Sequence, residues 1–381
     1  EDLSWTYTLA GAMNTFNAVG YLVGALVTPW ALRRVGAIAV LIWGSVVAAT
    51  LMAVAGFLTD NTGLLVQRFL AGIASATVFV SGGLLAARLG ANRPAQSGLL
   101  LGLYYGGTGW GIVLSALMVP VAIAWAQAAA WTHAWAWAWW LLAALCFAMV
   151  VLLLLIRPQL VQWAPEIQSS VDDVKAGATA TMNADKLANQ NAKVNAKVDA
   201  PKNLQTWRQW SAGLLGYGLF GVGYIGYMTF VVALLREQGV DAGNITFFYA
   251  LLGLAVVLSS RIWAGLLNHF RGGQALALLN GLLAIATVIP AISAAWPMML
   301  VSGVLFGGVF LSVVASTTAM VKHNLPPAEW AAGISAFTVI FAIGQIVGPT
   351  MVGWIADGPG GLQRGLVFSA SALMLGAIVA W

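Results

Sequence analysis

Residues 157–207 read RPQLVQWAPEIQSSVDDVKAGATATMNADKLANQNAKVNAKVDAPKNLQTW, the one long polar stretch in a chain of 381 residues. Apolar stretches of membrane-spanning length flank it, five before it and six after it. A helix needs roughly 20 apolar residues to cross about 30 Å of hydrocarbon. This plan predicts an all-α integral membrane protein built as two six-helix bundles, with about eleven helices present. The odd total and the start at Glu1 predict that a first helix is missing.

The composition excludes an ordinary soluble domain. Apolar residues make up 60% of the chain and charged residues 8%, and the mean hydropathy is +0.87. A soluble domain carries roughly a quarter charged residues. The net charge of +5 is not evidence for nucleic-acid binding, because the basic residues concentrate in one set of loops. The expected partners are therefore the lipid bilayer and a small-molecule substrate, and no nucleic acid.

The polar stretch divides the chain into three regions. We expect an N-terminal helical bundle at 1–157, a cytoplasmic linker at 158–208 and a C-terminal six-helix bundle at 209–381. The linker is rich in Ala, Asn, Lys and Asp and has few aromatic residues. Such a composition cannot bury enough apolar surface to offset the entropy of ordering. We predict that it is a mostly disordered tether between the bundles.

The Lys and Arg residues give the orientation. With the linker on one side and loops counted alternately, thirteen basic residues fall on that side and two, Arg236 and Arg364, on the other. The thirteen are Arg33, Arg34, Arg88, Arg93, Arg157, Lys175, Lys186, Lys193, Lys197, Lys202, Arg208, Arg271 and Lys322. Cytoplasmic loops carry the excess of Lys and Arg. The linker is therefore predicted to be cytoplasmic, in the plasma or inner membrane of a bacterial cell.

Pairs of glycines four residues apart mark candidate contacts between helices. They are Gly20 and Gly24, Gly102 and Gly106, Gly107 and Gly111, Gly303 and Gly307, and Gly344 and Gly348. Small residues on one helix face let helices approach closely in lipid. We predict tight packing at these faces.

The charged residues inside the predicted spans are Arg68 and Arg261. Burying a charge in a membrane is costly, so such residues mark candidate sites. Both could extend to the membrane boundary and be structural. On the functional interpretation they face a central cavity, where Arg261, with Arg68 as a second contact, binds an anionic group of the substrate. The predicted spans contain no Asp or Glu that could carry a coupling proton.

Polar side chains in apolar runs are further candidates for the substrate site. They are Asn14, Asn17, Tyr104, Tyr105, Tyr224, Tyr227 and Gln345. A buried polar group needs a partner, which a bound solute can supply. For the tyrosines, ordinary packing between helices explains the pattern equally well. For the inner gate, we predict that Arg271 and Glu329 pair on the cytoplasmic side when the protein is open outward.

Three motifs resemble the major facilitator superfamily, whose members are twelve-helix transporters. Arg68-x-x-x-Gly72 resembles that family's fourth-helix motif, although Ala71 replaces the usual glutamine. The glycine-rich runs at 102–111 and 344–349 resemble its fifth and eleventh helices. The family's loop motif Gly-x-x-x-Asp-Arg-x-Gly is altered here, because the loop after the first visible span contains two arginines but no acid.

Other segments resemble the YbfB-like branch of that superfamily more closely. They are NAVGYLVGAL at 17–26, YYGGTGWGIV at 104–113 and FGVGYIGYMTF at 220–230. This likeness implies the fold over nearly the whole chain and implies no particular substrate. Locally, Arg261-x-x-x-Gly265-Leu266 resembles the eighth helix of monocarboxylate porters, where the arginine meets a carboxylate.

The plan and the resemblance imply a secondary active transporter of a small organic solute, anionic if the arginines bind it, that works by alternating access. The alternative is efflux of lipophilic or drug-like compounds, with the tyrosines as an aromatic wall. An intramembrane enzyme would need a positioned base or metal, yet His269 and His323 lie in loops without matching acids or cysteines. We expect a monomer without enzymatic activity, cofactor or metal, and a proton as the candidate coupling ion.

Overall fold

The computed structural model describes residues 5–91, 97–163, 204–325 and 330–381. All the secondary structure in these ranges is helical. The helices are α1 Tyr7–Val35, α2 Ala37–Ala55, α3 Asn61–Ala91, α4 Ser97–Ala128, α5 Ala134–Trp163, α6 Leu204–Glu237, α7 Ala242–Ile262, α8 Ala264–His269, α9 Gln274–Ile292, α10 Trp296–Asn324, α11 Trp330–Ala356 and α12 Gly361–Ala380. Eleven of them, all except the short α8, are long and apolar enough to cross a membrane.

Local chemistry sets several of the helix ends. The side chains of Thr6 and Asp241 accept hydrogen bonds from the first turns of α1 and α7, at 3.2 and 3.0 Å. Such caps satisfy backbone donors that have no partner within the helix. Gly36 and Gly360 separate consecutive helices at φ values of 83° and 96°, where other residues are strained.

The helices form two groups. Helices α1 to α5 pack on one another, and so do helices α6 to α12. The two groups meet mainly along two helix pairs, α1 with α11 and α4 with α7. We call these groups the N-terminal and C-terminal halves and the two pairs the seam. The predicted all-α membrane fold with two bundles is confirmed.

The helices on either side of the linker are longer than the sequence predicts. Residues 158–163 continue α5, and residues 204–208 belong to α6. The predicted disorder of the remaining linker lies outside the described residues. We call the side of the helix bundle where α5 ends and α6 begins, which carries residues 157 and 208, the linker end. The opposite side of the bundle is called the outer end, after the predicted orientation.

Close backbone contacts along the seam depend on glycine. A Cβ atom added at Gly109 of α4 would lie 2.6 Å from the carbonyl oxygen of Gly253 in α7. On the other pair, added Cβ atoms at Gly11 and Gly353 would overlap backbone atoms of Pro349 and Tyr7. In α1, Thr15 donates its hydroxyl to the Ile346 carbonyl at 2.7 Å. The α1–α11 contacts therefore run from the outer end toward mid-membrane.

The orientation gives a testable prediction about labelling. In a Cys146→Ala background, which removes the single cysteine, new cysteines between Val174 and Asp199 should react only with reagents on the cytoplasmic side. Cysteines at the exposed outer-end positions Asp60 and Asp241 should react only from outside. The physical reason is the thirteen-to-two bias of basic residues toward the linker side. Labelling of the linker in intact cells by a membrane-impermeant maleimide would contradict the predicted orientation and indicate the opposite one.

Candidate substrate site and outer contacts

Arg68 is a half-buried cation in the outer part of α3. Its guanidinium carbon lies 4.5 Å from the centroid of the Trp139 ring in α5. A cation over an indole face is attracted by the ring quadrupole, which favours the charged form in a low-dielectric setting. The ring covers one face of the planar guanidinium, while the N–H groups point outward in its plane. Among the described residues, that side chain has no carboxylate or hydrogen-bond partner.

Arg68 shares a helix face with Ser75 and Phe79, because they are spaced by seven and four residues. Ser75 is exposed and Phe79 is 39% exposed, so this face of α3 is partly open. Asn17 of α1 donates its side-chain amide to the Arg68 carbonyl at 3.1 Å. The predicted site residue Asn17 thus joins α1 to α3 beside Arg68.

Arg261 lies elsewhere, in the last turn of α7 at the linker end. It is exposed and shares the exposed face of α7 with Leu254 and Leu258. The opposite side of this turn is held to α10, where Ser259 bonds Ser312 at 3.0 Å. Arg68 follows the outer start of α3 by seven residues, about 10 Å of helix rise. The two arginines therefore lie toward opposite ends of their helices, Arg68 toward the outer end of α3 and Arg261 at the linker end of α7.

The N-terminal half contains an aromatic cluster further along the Phe79 face. The rings of Tyr104 and Tyr105 lie 6.0 and 5.7 Å from the Phe79 ring, and the Tyr104 hydroxyl donates to the Phe79 carbonyl at 2.7 Å. Tyr21 of α1, which sequence reasoning missed, packs 6.4 Å from Phe79. The structure thus brings Tyr104 and Tyr105 together and adds Tyr21.

The C-terminal half presents a second cluster around Tyr224. Gln345 of α11 donates its side-chain amide to the Tyr224 hydroxyl. The Tyr224 ring stacks with Phe310 at 5.1 Å and lies 5.6 Å from Phe341. Tyr224 and Gln345 are thus directly paired. Tyr224 is buried in the C-terminal half, whereas Tyr21 belongs to α1 in the N-terminal half.

Tyr227 and Asn14 have partners within the protein. The Tyr227 ring is fully buried and its hydroxyl shares a hydrogen bond of 2.7 Å with Ser302. Asn14 of α1 donates its side-chain amide to the hydroxyl of Thr229 in α6 at 3.0 Å, so it links the two halves. Packing and hydrogen bonding between helices account for both side chains.

Four residues that sequence reasoning missed as a group join the halves at the outer end. The Asp357 carboxylate, just beyond α11, accepts bonds from the backbone amides of Tyr7 and Thr8, each at 2.8 Å, and from the Thr8 hydroxyl at 2.5 Å. The Tyr7 hydroxyl donates to the carboxylate of Glu237, the last residue of α6. We call Tyr7, Thr8, Glu237 and Asp357 the outer latch. The sequence feature that could have indicated this latch is an acidic residue, Asp357, directly after a predicted span.

The latch carboxylate of Asp357 is ionised at neutral pH. Burial raises the pKa of this carboxyl, but the hydrogen bonds from Thr8 and Tyr7 lower it more, so the pKa lies below its ordinary value. A depressed pKa means that the bonded carboxylate is favoured above its ordinary pKa and is lost only as pH falls through the lowered value. The latch therefore presents a charged acceptor to the first turn of α1.

The predicted inner gate is only partly described. Arg271 is exposed in the loop before α9, and its carbonyl accepts a bond from the Asn324 side-chain amide at 2.6 Å. Glu329 lies outside the described residues. The pairing of Arg271 with Glu329 stays a prediction.

The arrangement of eleven spanning helices in two halves is the fold of a major facilitator transporter. The nucleoside transporter NupG matches with a TM-score of 0.64 at 13% identity, over 99% of this chain and 90% of that chain. A variant of the E. coli fucose:proton symporter FucP matches with a TM-score of 0.58 at 14% identity, over 100% and 92%. At these identities the likeness shows the fold alone.

The sequence itself gives the family. The family model described as "Uncharacterised MFS-type transporter YbfB" matches residues 1–185 and 175–381. The chain belongs to this family, and the resemblance to the YbfB-like branch is confirmed. Two Agrobacterium vitis proteins named "Putative tartrate transporter" are 27% identical to it over 396 and 394 residues, with 100% of this chain and 82% and 85% of the relatives covered. The protein is a multi-pass membrane transporter, and its family and relatives are transporters, not enzymes.

Proposed function

We propose that this protein is a secondary active transporter of a small hydroxylated organic anion, of which tartrate is an example. It works by alternating access in the inner membrane of a bacterium, with the linker in the cytoplasm and a proton as the candidate coupling ion. We expect it to act as a monomer. The names of the two relatives support the substrate class.

The observation that supports the proposal is the environment of the Arg68 guanidinium. Its guanidinium stacks on Trp139 and, within the described part of the chain, its N–H groups have no acceptor. A guanidinium fork matches a carboxylate in two parallel hydrogen bonds, which are stronger away from bulk water. Because a membrane-embedded charge is costly, an anionic substrate group is the partner that best explains retaining it.

The tyrosines suit the remaining groups of such a solute. Tartrate carries two hydroxyls and two carboxylates, all of which can accept hydrogen bonds from phenols. The hydroxyls of Tyr21 and Tyr105, which lie in the aromatic cluster around Phe79, can each donate one bond to such a solute. We infer that Arg68 binds the anion toward the outer end and that the phenols around Phe79, eleven residues or about 16 Å of helix rise further along α3, bind its hydroxyl groups at a separate contact.

Efflux of lipophilic compounds is the second candidate. It is favoured by the stacked rings of Tyr224, Phe310 and Phe341, which offer an apolar wall to a flat ligand. On that reading, the charge of Arg68 would not contribute to binding.

A substrate panel separates the two functions. The protein is reconstituted into liposomes, and uptake of labelled tartrate, malate and succinate is measured beside a lipophilic cation, with and without a proton gradient. We expect tartrate to exceed succinate, which has the same two carboxylates but no hydroxyl groups. Transport of the lipophilic cation alone would replace the anion proposal with efflux, and equal rates for tartrate and succinate would remove the role of the phenols.

A further inference from the structure

The outer latch joins helices of opposite halves through charged acceptors. Asp357 follows α11 and Glu237 ends α6, both in the C-terminal half, while Tyr7 and Thr8 begin α1 in the N-terminal half. The first four amides of a helix have no acceptor within it. In α1, Thr6 accepts from Leu9 within the same half, but the amides of Tyr7 and Thr8 bond to the other half. The start of α1 is thus capped across the seam.

Helix electrostatics strengthen this contact. The N-terminus of a helix carries a partial positive charge, which favours a carboxylate placed there. The Asp357 carboxylate occupies that position and uses both oxygens, one for the Tyr7 amide and the other for Thr8. The halves are also in backbone contact here, since a Cβ atom at Gly353 would overlap Tyr7. The Tyr7 ring packs 5.9 Å from Phe230 of α6 at an interplanar angle of 88°.

We propose that Asp357 is a gating residue that holds the outer side of the transporter closed by capping α1 across the seam, with the Tyr7–Glu237 bond as a second contact. Opening to the outside requires these bonds to exchange for bonds to water. Asp357 and Glu237 are exposed, so water replaces the lost partners and the latch biases the conformational equilibrium without locking it. Asp60 and Asp241 also accept bonds from helix amides at the outer end, but each does so within its own half.

The inference rests on the proposed alternating access but not on any particular substrate. Its test therefore reads conformation directly. Ala10 lies one turn into α1 and packs against the core of the C-terminal half. In a Cys146→Ala background, Ala10→Cys is a reporter that an impermeant maleimide reaches from outside more readily when the outer ends separate.

We expect Asp357→Ala to raise the rate of Ala10→Cys labelling roughly tenfold, the size expected for losing hydrogen bonds to a charged group. Tyr7→Phe, which deletes only the hydroxyl bonded to Glu237, should raise it by a smaller factor. The matched control is Asp241→Ala, which removes the cap of α7 within one half and should leave the labelling rate unchanged.

Each outcome decides for or against the latch. Unchanged labelling in Asp357→Ala, with thermal stability in detergent also unchanged, would overturn the proposal. Equal increases in Asp357→Ala and Asp241→Ala would mean that loss of any helix cap loosens the outer end, which also contradicts it. If Asp357→Ala fails to reach the membrane, Tyr7→Phe and Asp357→Asn carry the test with smaller structural changes. Failure of tartrate transport would overturn the proposed substrate and leave these labelling results valid.

Discussion

Arg68→Ala and Arg68→Lys will each remove most of the uptake of a dicarboxylate. Alanine removes the charge, whereas lysine keeps the charge and loses the planar fork that binds a carboxylate with two bonds. Removing one partner of a desolvated charge pair costs about 2–5 kcal/mol, so uptake at low substrate concentration should fall by roughly thirtyfold or more. The measurement is the initial uptake rate in proteoliposomes, normalised to the amount of correctly inserted protein.

Arg261 supplies the contrast for this experiment. It is the other arginine inside the predicted spans, but it lies on the exposed face of α7 beside Leu254 and Leu258. A long basic side chain there can extend to the membrane boundary. Arg261→Ala and Arg261→Lys should therefore retain more uptake than the Arg68 variants. If the Arg261 variants lose transport and the Arg68 variants keep it, Arg261 is the residue that binds the substrate anion, as the sequence alone predicted.

Trp139→Leu separates the contribution of the ring from that of the charge. Leucine keeps an apolar side chain but removes the indole face, 4.5 Å from the Arg68 guanidinium. We expect an intermediate loss of uptake, because the cation keeps its N–H groups but loses the surface that positions it. A Trp139→Leu variant with parental uptake would show that stacking does not orient Arg68.

The sequence predicted best those features that depend on local periodicity. Long apolar runs gave the eleven spans, because crossing a membrane requires a helix that satisfies its own backbone. Glycine spacing predicted contacts at Gly307 and Gly344, which the structure places against the backbones of α7 and α6. The same spacing at Gly107 and Gly111 predicted a contact wrongly, because that face of α4 is exposed and added Cβ atoms would meet none of the described residues within 4 Å. Glycine spacing shows which helix face consists of small residues, but it does not show which element packs against that face.

The candidate site was harder to predict, because its contacts join distant parts of the chain. Thr8 and Asp357 are 349 residues apart, and nothing in either local segment indicates the other. Asp357 stands in a turn with two glycines and a proline, a composition that predicts only a loop. Hydropathy likewise predicted that both arginines lie inside spans, but it gave no information about their surroundings. Arg68 is half-buried on a partly open face of α3, whereas Arg261 lies on the exposed face of α7.

A large effect on stability is expected at the contact between α7 and α10. A Cβ atom at Gly307 would overlap the Leu252 carbonyl oxygen and lie 3.0 Å from the Ala255 side chain. Backbone atoms cannot rotate away as a side chain can, so the two helices must move apart. Separation would also strain the Ser259–Ser312 hydrogen bond in the same helix pair. Gly307→Ala should destabilise the protein by at least the 1–3 kcal/mol typical of overpacking.

The adjacent residue provides a matched control, since a Cβ atom at Gly308 would meet none of the described residues within 4 Å. Gly308→Ala changes the same helix by the same methyl group and removes the same backbone freedom. Alanine favours a helix over glycine by roughly 0.8–1.0 kcal/mol, so this variant should melt at or above the parent temperature in detergent. Gly307→Ala should melt well below the parent, because the clash exceeds the same propensity gain. If both variants have the same melting temperature, the close contact between Gly307 and the backbone of α7 is not present in the protein, and the prediction is wrong.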